Sequence, residues 1–379
     1  MAAGVIAEFN PFHNGHKYLL EQAAKTDEYI VVIMSGSFVQ RGDMAITDKW
    51  TRTRAALNGG ADLVIELPVV FSLNTAQKFA FGAVSTLKAA GVINTLVFGS
   101  ECGEVNELKK AAELMLNEPE EVSAEIKELI KSGKSYPSAR AKAYGNCGAD
   151  VLSSPNDILG AEYIRAARQI GMTCEFVPVK RVGPEHDSSE IHQSTASASE
   201  IRRIIRSGGD ITDFIPMSAD FPIYDSSRLD AAIIAKLRTC GSEYLSNIND
   251  VGEGLENRFI AAASVTHTLD SLCKAVKTKR YTLSRIRRIA WSSYLGLTKE
   301  LCSLSPSYIR ILGMNDKGKA ILKQMKKTAS LPIVVKAADY KNDRIFDINS
   351  AAEDIFSLCA PKPALRNGGR DIRVSPVII

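Results

Sequence analysis

The chain has 379 residues, a length typical of two domains, and its 45% hydrophobic and 24% charged residues are typical of a globular protein. No run of about 18 apolar residues occurs, so we expect no membrane-spanning helix and no membrane partner. The first residues lack the basic region and long apolar region of a signal peptide, and we interpret residues 3–7 as a first strand.

The cysteine pattern indicates a reducing compartment. The seven cysteines are scattered, odd in number and without a CxxC pair, so we expect neither a disulfide framework nor a zinc site. His186 and His192 share a polar segment but have no nearby cysteine and no regular ligand spacing. We therefore predict a cytoplasmic protein without a metal site of its own.

Predicted strands and helices alternate over the first 200 residues. Short apolar runs predict strands at 3–7, 29–34, 61–67, 95–98 and 175–179. Helical patterns lie between them at about 15–26, 48–59, 75–90, 105–131 and 155–171. This alternation predicts an α/β fold with a doubly wound, Rossmann-like parallel sheet, whose ligand crevice lies at the carboxyl ends of the strands.

The pattern changes after about residue 205, where the helical period dominates. We predict a catalytic domain at 1–210 and a mainly α-helical domain at 211–379, with a lone strand at 333–335. The second part is locally basic, because the stretch 274–288 contains no acidic residue. Its basic residues are Lys274, Lys277, Lys279, Arg280, Arg285, Arg287 and Arg288. They form either a solvated helix face or, as we favour, a surface that binds RNA.

The segment 8–16, Glu-Phe-Asn-Pro-Phe-His-Asn-Gly-His, follows the first strand and opens the first helix. A helix N-terminus presents unpaired N–H groups and the positive end of a dipole, so it binds phosphate. His13 and His16 are three residues apart and on a helix would point the same way, towards a phosphate. Gly15 would let a nucleotide approach the backbone. The motif predicts attack at the α-phosphate of ATP, with both histidines as catalytic residues.

Several strings, in this order, resemble one family. They are NPFHNGH at 10–16, MSGSFVQRG at 34–42, KW at 49–50, ADLVIELP at 61–68, FGSE at 98–101, PNDILG at 155–160, KRY at 279–281 and YIRILG at 308–313. Together they resemble the bacterial tRNA(Met) cytidine acetate ligases, members of the HxGH nucleotidyltransferase superfamily. The resemblance implies that ATP and Mg²⁺ activate acetate to acetyl-adenylate. The acetyl group would then pass to N4 of the wobble cytidine in the anticodon of elongator tRNA(Met).

The resemblance also implies site residues. ATP would be bound by Ile6, Ala7, Glu8, Phe9, Asn10, Pro11, Phe12, His13, Asn14, Gly15, His16, Lys17, Tyr18 and Leu19, together with Gly99, Asn156 and Arg181. Segment 197–202 resembles the superfamily's second signature, with Ser197, Ser199 and Arg202 as possible phosphate contacts. Ala198 stands where that signature has a hydroxyl residue. A basic helical domain fits the tRNA partner, because phosphate contacts dominate affinity for nucleic acid.

Two other functions stay open. One is an ordinary nucleotidyltransferase that adenylates or cytidylates a small phosphate acceptor, and the other is an RNA-binding protein on an inactive nucleotidyltransferase scaffold. Several polar residues have structural alternatives as well. Asp62 and Glu66 are expected to be structural, whereas Lys49, Arg54 and the loop 40–43 are either solvated or functional.

Overall fold

The computed structural model describes residues 1–181 and 196–379, so His186 and His192 lie outside the described residues. The strands are β1 Ala2–Ala7, β2 Tyr29–Ser35, β3 Phe38–Val39, β4 Asp43–Met44, β5 Leu63–Leu67, β6 Ile93–Ser100, β7 Glu175–Lys180, β8 Ile309–Met314, β9 Ile333–Val334 and β10 Val377–Ile378. The helices are α1 Asn14–Ala23, α2 Lys49–Asn58, α3 Val69–Ser72, α4 Ala76–Ala90, α5 Val105–Leu116, α6 Glu120–Lys131, α7 Tyr136–Gly145, α8 Pro155–Gln169, α9 Ala198–Arg206, α10 Asp230–Thr239, α11 Ser242–Asn247, α12 Leu255–Val265, α13 Leu269–Val276, α14 Leu283–Leu295, α15 Asp316–Thr328, α16 Arg344–Ser357 and α17 Arg370–Arg373.

The predicted α/β fold class is confirmed. The main sheet has the order β10-β8-β5-β2-β1-β6-β7, and the segment from β5 through β7 in that order is entirely parallel. The predicted strands and helices of the first 200 residues form with small shifts of their ends. The helix predicted over 105–131 is two helices, α5 and α6, because Pro119 lacks an N–H group and sits at the N-cap of α6.

The C-terminal part returns to the sheet, which the sequence did not predict. Strand β8 pairs antiparallel with β5, and both β9 and β10 pair parallel with β8. The strand predicted at 333–335 is present as β9, but it is paired and therefore not a lone strand. Helices fill the segment from α10 to α14, as predicted. The division at residue 210 stays a prediction, and the sheet takes strands from both sides of it.

Alternate side chains of the central strands enter two separate cores, as a strand's period of two requires. On β2, Val31 and Ile33 pack with α4 and α8 on one face, whereas Val32 and Met34 pack with α1 and α2 on the other. Both faces are thus covered, and the carboxyl ends of β1, β6 and β7 meet at one edge. No helix in the described ranges is long and apolar enough to cross a membrane. The seven cysteines are free, as predicted.

A buried ammonium joins α2 to the C-terminal part of the chain. Lys49 Nζ lies 2.7 Å from Glu66 Oε1 on β5 and 2.8 Å from Asp371 Oδ1 on α17, and Glu353 Oε2 on α16 is 4.0 Å away. All four side chains are buried. Burial alone would lower the pKa of Lys49, but Asp371 and the other two carboxylates outweigh it and raise that pKa. Lys49 is therefore neither solvated nor at the ligand edge, and the structural role expected for Glu66 is confirmed.

One turn further along α2, Arg52 fixes the loops around the ligand edge. Its guanidinium donates to the carbonyl oxygens of Glu8 and Ser35 at 2.8 Å each, to Thr47 O at 3.1 Å, and to Gly36 O. These carbonyls lie at the ends of β1 and β2 or just before α2. No backbone N–H of a neighbouring strand in the described part of the chain is available to them there, so the guanidinium supplies the donors. Asp62 is also structural, because its carboxylate accepts from Ile30 N at 2.8 Å. Arg54 is exposed.

The substitution Lys49→Met tests the buried cluster. It leaves two carboxylates without their partner in a dry site, and removing one member of a buried ion pair costs about 3–5 kcal/mol. We expect the free energy of unfolding, measured by urea denaturation, to fall by about that amount. Lys319→Met is the matched control, since Lys319 pairs with Asp316 at the same 2.8 Å but both side chains are exposed. Equal losses in the two variants would contradict a special role for burial.

The carboxyl of Glu353 gives this cluster a pH dependence. Burial raises its pKa from 4.5 to about 7, with Lys49 opposing the rise. The folded state therefore binds this proton more tightly than the unfolded state, and the associated stability is lost as pH rises from 4.5 through 7. We expect Glu353→Gln to gain stability relative to the wild type over that interval, by at most about 1.4 kcal/mol per pH unit, and to level off above it. Parallel stability curves for the two proteins would contradict this.

Candidate active site

The described residues surround a cavity of about 830 Å³ at the carboxyl edge of the sheet. Its floor comes from the residues that follow β1, the turn after β6 and the end of β7. One wall is α1, a second is formed by α7 and α8, and a third comes from the loop after α11 and from α14. The cavity thus lies where an open α/β sheet binds its ligands, and both halves of the chain enclose it.

The two histidines meet at the start of α1, but not because they share a helix face. His13 is the N-cap with extended backbone (φ −136°, ψ 173°), and its Nδ1 accepts from Gly15 N at 3.1 Å. His16 Nδ1 in turn accepts from His13 N at 3.3 Å, which completes a capping box. The rings stack with centroids 3.7 Å apart. The predicted pairing is correct, and capping geometry produces it.

Gly15 has a local reason to be glycine. A Cβ at this position would lie 3.0 Å from His13 Cε1 and 3.1 Å from His13 Nδ1. The imidazole of His13 folds over the helix start and occupies that space. We predicted Gly15 for close approach of a nucleotide to the backbone, and the structure shows that the glycine also makes room for the catalytic candidate itself.

His16 is held as a neutral imidazole. Desolvation lowers its pKa well below 6.5, and the nearby His13 and Arg181 lower it further. Because Nδ1 accepts a hydrogen bond, the single proton of the neutral ring resides on Nε2. Both histidines line the cavity, and the neutral ring of His16 offers its Nε2–H donor there without a full positive charge.

The turn into α1 is fixed by long-range hydrogen bonds. Asn10 Oδ1 accepts from Ile46 N at 2.7 Å, and the carbonyl of Asn10 accepts from Arg202 Nη1 at 2.7 Å. Phe9 has φ +48°, a strained region for an aromatic residue, and its ring packs edge-on against His16 with centroids 4.9 Å apart. The surrounding contacts hold this backbone, and it aims the histidines into the cavity.

The carboxylate of Glu8 faces the cavity beside this turn. Its Oε1 accepts from Gln40 N at 2.7 Å, which ties the end of β1 to the β3–β4 hairpin. Burial raises the pKa of Glu8, against the opposing effect of the Gln40 N–H and of Arg202. A negative charge on Glu8 would repel an incoming phosphate. The nearby arginines, Arg202, Arg41 and Arg52, offset this repulsion.

The opposite end of the cavity is built by two reciprocal caps. Glu101, after β6, accepts from Asn156 N, Asn156 Nδ2 and Asp157 N at the start of α8. Asp157 accepts from Glu101 N at 3.0 Å and from Ser100 Oγ. The amide of Asn156 is thereby held with its NH₂ towards Glu101. Among the described residues, a Cβ on Gly99 would meet only Arg181 Cγ, at 4.0 Å.

The segment 197–202 reaches the cavity as a helix N-terminus. Ser197 caps α9, its Oγ accepting from Glu200 N at 3.1 Å. Ser199 and Arg202 line the cavity, and Arg202 Nη2 donates to Ser199 Oγ at 3.2 Å. Desolvation lowers the pKa of Arg202, although Asp43 and Glu8 oppose this. The departure at Ala198 therefore leaves two hydroxyls, those of Ser197 and Ser199, and the guanidinium of Arg202 at the cavity surface.

The basic run 274–288 divides into three groups. Arg280, Arg285 and Arg288 line the main cavity, whereas Arg287 lines a smaller neighbouring one. The remaining members are exposed outside both cavities, namely Lys274, Lys277 and Lys279.

Asp250 neutralises part of the arginine wall, which the sequence analysis missed. Its Oδ2 accepts from Arg288 Nη2 at 2.6 Å, and its carbonyl accepts from Arg285 Nη2 at 3.1 Å. Asp250 and Glu253 have φ of +68° and +61° in a loop that brings both to the cavity. The available signal was the turn-forming string Asn-Asp-Val-Gly-Glu-Gly at 249–254, ahead of a run without acids. Tyr136 and Arg140 on α7 also line the cavity and carried no motif.

Comparison with known proteins decides the family. Residues 1–371 match the HIGH Nucleotidyl Transferase family model. The tRNA(Met) cytidine acetate ligase of Acetivibrio thermocellus is 36% identical and covers 99% of both chains, and that of Caldanaerobacter subterraneus subsp. tengcongensis is 39% identical over 94% of this chain and 95% of its own. A crystal structure of Thermotoga maritima TmcAL bound with alpha-thio ATP superimposes with a TM-score of 0.90 at 34% identity, covering 100% of this chain and 99% of that one. The chain belongs to the tRNA(Met) cytidine acetate ligase family.

Within this ligase family fold, most of the predicted site residues come together. The predicted residues that line the main cavity are Ile6, Ala7, Glu8, Phe9, Asn10, His13, Gly15, His16, Tyr18, Leu19, Gly99, Asn156, Arg181, Ser197, Ser199 and Arg202. Four members of the segment 6–19 do not line it. Pro11 and Phe12 are buried in the turn and core, Asn14 Nδ2 donates to Asp213 O at 2.8 Å, and Lys17 is exposed beside Glu21.

The protonation state of His16 is directly testable by NMR. We expect the ¹⁵N shifts of its imidazole to report a neutral ring with the proton on Nε2 throughout pH 6 to 8, because burial and the nearby His13 and Arg181 disfavour a second proton. His16→Gln assigns the signals by their disappearance. An imidazolium at pH 7, or a proton on Nδ1, would contradict the hydrogen bond from His13 N.

Proposed function

We propose that this chain is an ATP-dependent ligase that activates acetate and transfers the acetyl group to N4 of the wobble cytidine of elongator tRNA(Met). One observation carries the proposal beyond family membership. Two stacked imidazoles at a helix N-terminus open into a cavity that is large enough for a nucleotide and also faces an arginine wall. A cytoplasmic location follows from the tRNA substrate.

The first step forms acetyl-adenylate. A carboxylate oxygen of acetate attacks the α-phosphorus in line, the bond from that phosphorus to the bridging oxygen breaks, and pyrophosphate leaves with the electron pair. His13 and His16 act as catalytic donors to oxygens whose charge grows in the transition state. The N–H groups of the first turn of α1 add to this field. A neutral donor such as His16 suits this task because it releases the anionic product more readily than a full positive charge does.

The proposed nucleotide contacts divide between the two ends of the cavity. The phosphates lie against His13, Gly15 and His16, with Ser199 and Arg202 as further phosphate contacts. The nucleoside lies towards Gly99, Asn156 and Arg181, where the missing Cβ of Gly99 leaves room. The other predicted ATP-binding residues act by shaping this surface. They are Ile6, Ala7, Glu8, Phe9, Asn10, Pro11, Phe12, Asn14, Lys17, Tyr18 and Leu19.

Mg²⁺ enters as part of the substrate, bound to the triphosphate. In residues 1–181 and 196–379, no three side chains of His, Cys, Asp or Glu gather as a metal site. We propose that the metal arrives and departs with the phosphates, as is usual for Mg²⁺. Its chemistry is to offset charge on the phosphates. The protein residues orient the reacting atoms and exclude water.

The second step transfers the acetyl group. Cytidine N4 attacks the acetyl carbonyl carbon, a C–N bond forms, the bond from that carbon to the phosphate oxygen breaks, and AMP leaves as N4 loses a proton. The cytidine must first unstack, which an anticodon-loop base does more readily than a paired one. We propose the basic run as the tRNA contact surface. Its members are Lys274, Lys277, Lys279, Arg280, Arg285, Arg287 and Arg288.

ATP–pyrophosphate exchange tests the first step. We expect exchange that requires acetate, followed by transfer of labelled acetate to cytidine when elongator tRNA(Met) is added. His16→Ala should lower the exchange rate by about 10²–10³-fold, because one donor to the developing charge is lost. His267→Ala is the matched control, since His267 is exposed and outside the cavity. An unchanged rate in His16→Ala would remove the catalytic role assigned to it.

The same assay separates the alternatives. Pyrophosphate release that ignores acetate but requires a phosphorylated small molecule would assign the chain to the ordinary nucleotidyltransferases. ATP and tRNA binding without any turnover would assign it to RNA-binding proteins on an inactive scaffold. Either result would contradict the ligase proposal while leaving the fold and family unchanged.

A further inference from the structure

A second cavity of about 440 Å³ opens beside the main one. It lies between α9, the β3–β4 hairpin and α14. Its lining residues are Arg41, Asp43, Ser199, Arg202, Arg206, Leu283, Ser284 and Arg287. Four of these also line the main cavity, namely Arg41, Ser199, Arg202 and Ser284, so the two spaces are continuous.

The helices expose consistent faces to this space. Ser199, Arg202 and Arg206 are spaced three and four residues apart on α9, so they form one stripe along two turns. Ser284 and Arg287 form the corresponding stripe on α14. Gly42 permits the close packing between hairpin and α14, because its φ is +81° and a Cβ there would lie 2.6 Å from Arg288 N. The cavity is thus a product of three packed elements.

Arg206 and Arg287 bring positive charge to this cavity. Arg287 is paired with Asp43, whose Oδ2 is 3.3 Å from Arg287 Nη1. Burial lowers the pKa of Arg202, Asp43 and Glu8 oppose this fall, and the like charges of Arg206 and Arg41 add to it. Among the described residues, no carboxylate pairs with Arg206, which is exposed. An anion in this cavity would relieve the repulsion between these arginines.

We propose that the second cavity binds a backbone phosphate of the RNA strand next to the reacting cytidine. This inference rests on the proposed function. A cytidine in the main cavity stays joined to a phosphodiester on each side, so the strand must leave through an adjoining opening. Arginine binds phosphate oxygens through paired N–H donors, which Arg206 can supply, and Ser284 adds a hydroxyl donor. Such a contact fixes the register of the strand without reading a base.

Arg203 provides a matched control on the same helix. Its guanidinium donates to both carboxylate oxygens of Glu200, Nε to Oε2 at 2.8 Å and Nη2 to Oε1 at 2.5 Å, and it lines neither cavity. Arg203 and Arg206 are both exposed, so either can be replaced without opening the core. Arg206→Lys is a second variant, which keeps the charge but loses the paired donors.

The experiment measures binding of an anticodon stem-loop RNA by fluorescence anisotropy at several salt concentrations. We expect Arg206→Ala to weaken binding by about tenfold at low salt and to reduce the slope of log K against log salt by about 0.7–0.9, the value for one lost phosphate contact. Arg203→Ala should leave both quantities at their wild-type values. Arg206→Lys should keep the slope and lose part of the affinity.

A neutral phosphate analogue locates the contact. Single phosphodiesters flanking the target cytidine are replaced one at a time by methylphosphonates. At one position we expect weaker binding to the wild type and no further loss in Arg206→Ala, since the two changes remove the same contact. Additive losses at every position, or wild-type binding by Arg206→Ala, would overturn the proposal.

Acetate-dependent ATP–pyrophosphate exchange tests whether the second cavity binds the triphosphate of ATP instead of the RNA. If Arg206→Ala raises the apparent KM for ATP while RNA binding stays at the wild-type level, the cavity serves the triphosphate and the proposal is overturned. We expect the KM for ATP of Arg206→Ala to match that of Arg203→Ala. Loss of the acetate requirement in the wild type would contradict the proposed function separately, because the RNA-binding measurements do not depend on it.

Discussion

The ammonium of Lys49 is the contact on which the shape of the active site depends. It joins α2 to β5 and α17, and therefore holds the last third of the chain against the sheet of the first third. Arg52, one turn along the same helix, binds the carbonyls at the ends of β1 and β2. One helix thus fixes both the return of the C-terminal segment and the loops from which the proposed catalytic residues project.

This arrangement explains why the cavity has two chemically different sides. The start of α1 presents two imidazoles, of which that of His16 is neutral, whereas α9 and α14 present guanidinium groups, some of them paired with Asp250. The first side suits a phosphorus centre at which bonds form and break. The second suits a polyanion that must bind and leave, because its charges are partly balanced and solvent-screened. The two sides meet at the β3–β4 hairpin, where Gln40 N binds Glu8 and the carbonyl of Gln40 accepts from Arg288.

The sequence predicted what depends on local pattern. Apolar runs located the parallel strands, and the HxGH string located the cavity edge. It did not predict β8, because its residues pair with β5 at a separation of about 250 positions and only tertiary contact selects that partner. From the sequence, Lys49 was expected to be either solvated or functional. It is instead buried among three carboxylates from other segments of the chain, which the local sequence does not show. The histidines were predicted to meet because residues three apart share a helix face. They meet instead because His13 is the N-cap and His16 is the third residue of the helix, and a spacing of three fits both geometries.

The basic run 274–288 shows that the sequence also cannot predict where charged side chains lie. Its composition indicated a polyanion surface, but a composition cannot separate arginines that line a cavity from lysines on the outside. The separation is made by Asp250 and Asp43, which lie in other segments and draw Arg288 and Arg287 inward. Arg206 is different, because no carboxylate among the described residues neutralises it although it faces the same space as three other arginines. The fold pairs its buried charges around Lys49 but leaves Arg206 without a carboxylate partner among the described residues. Positive potential is thereby concentrated beside the active site, where the strand of a bound RNA would pass.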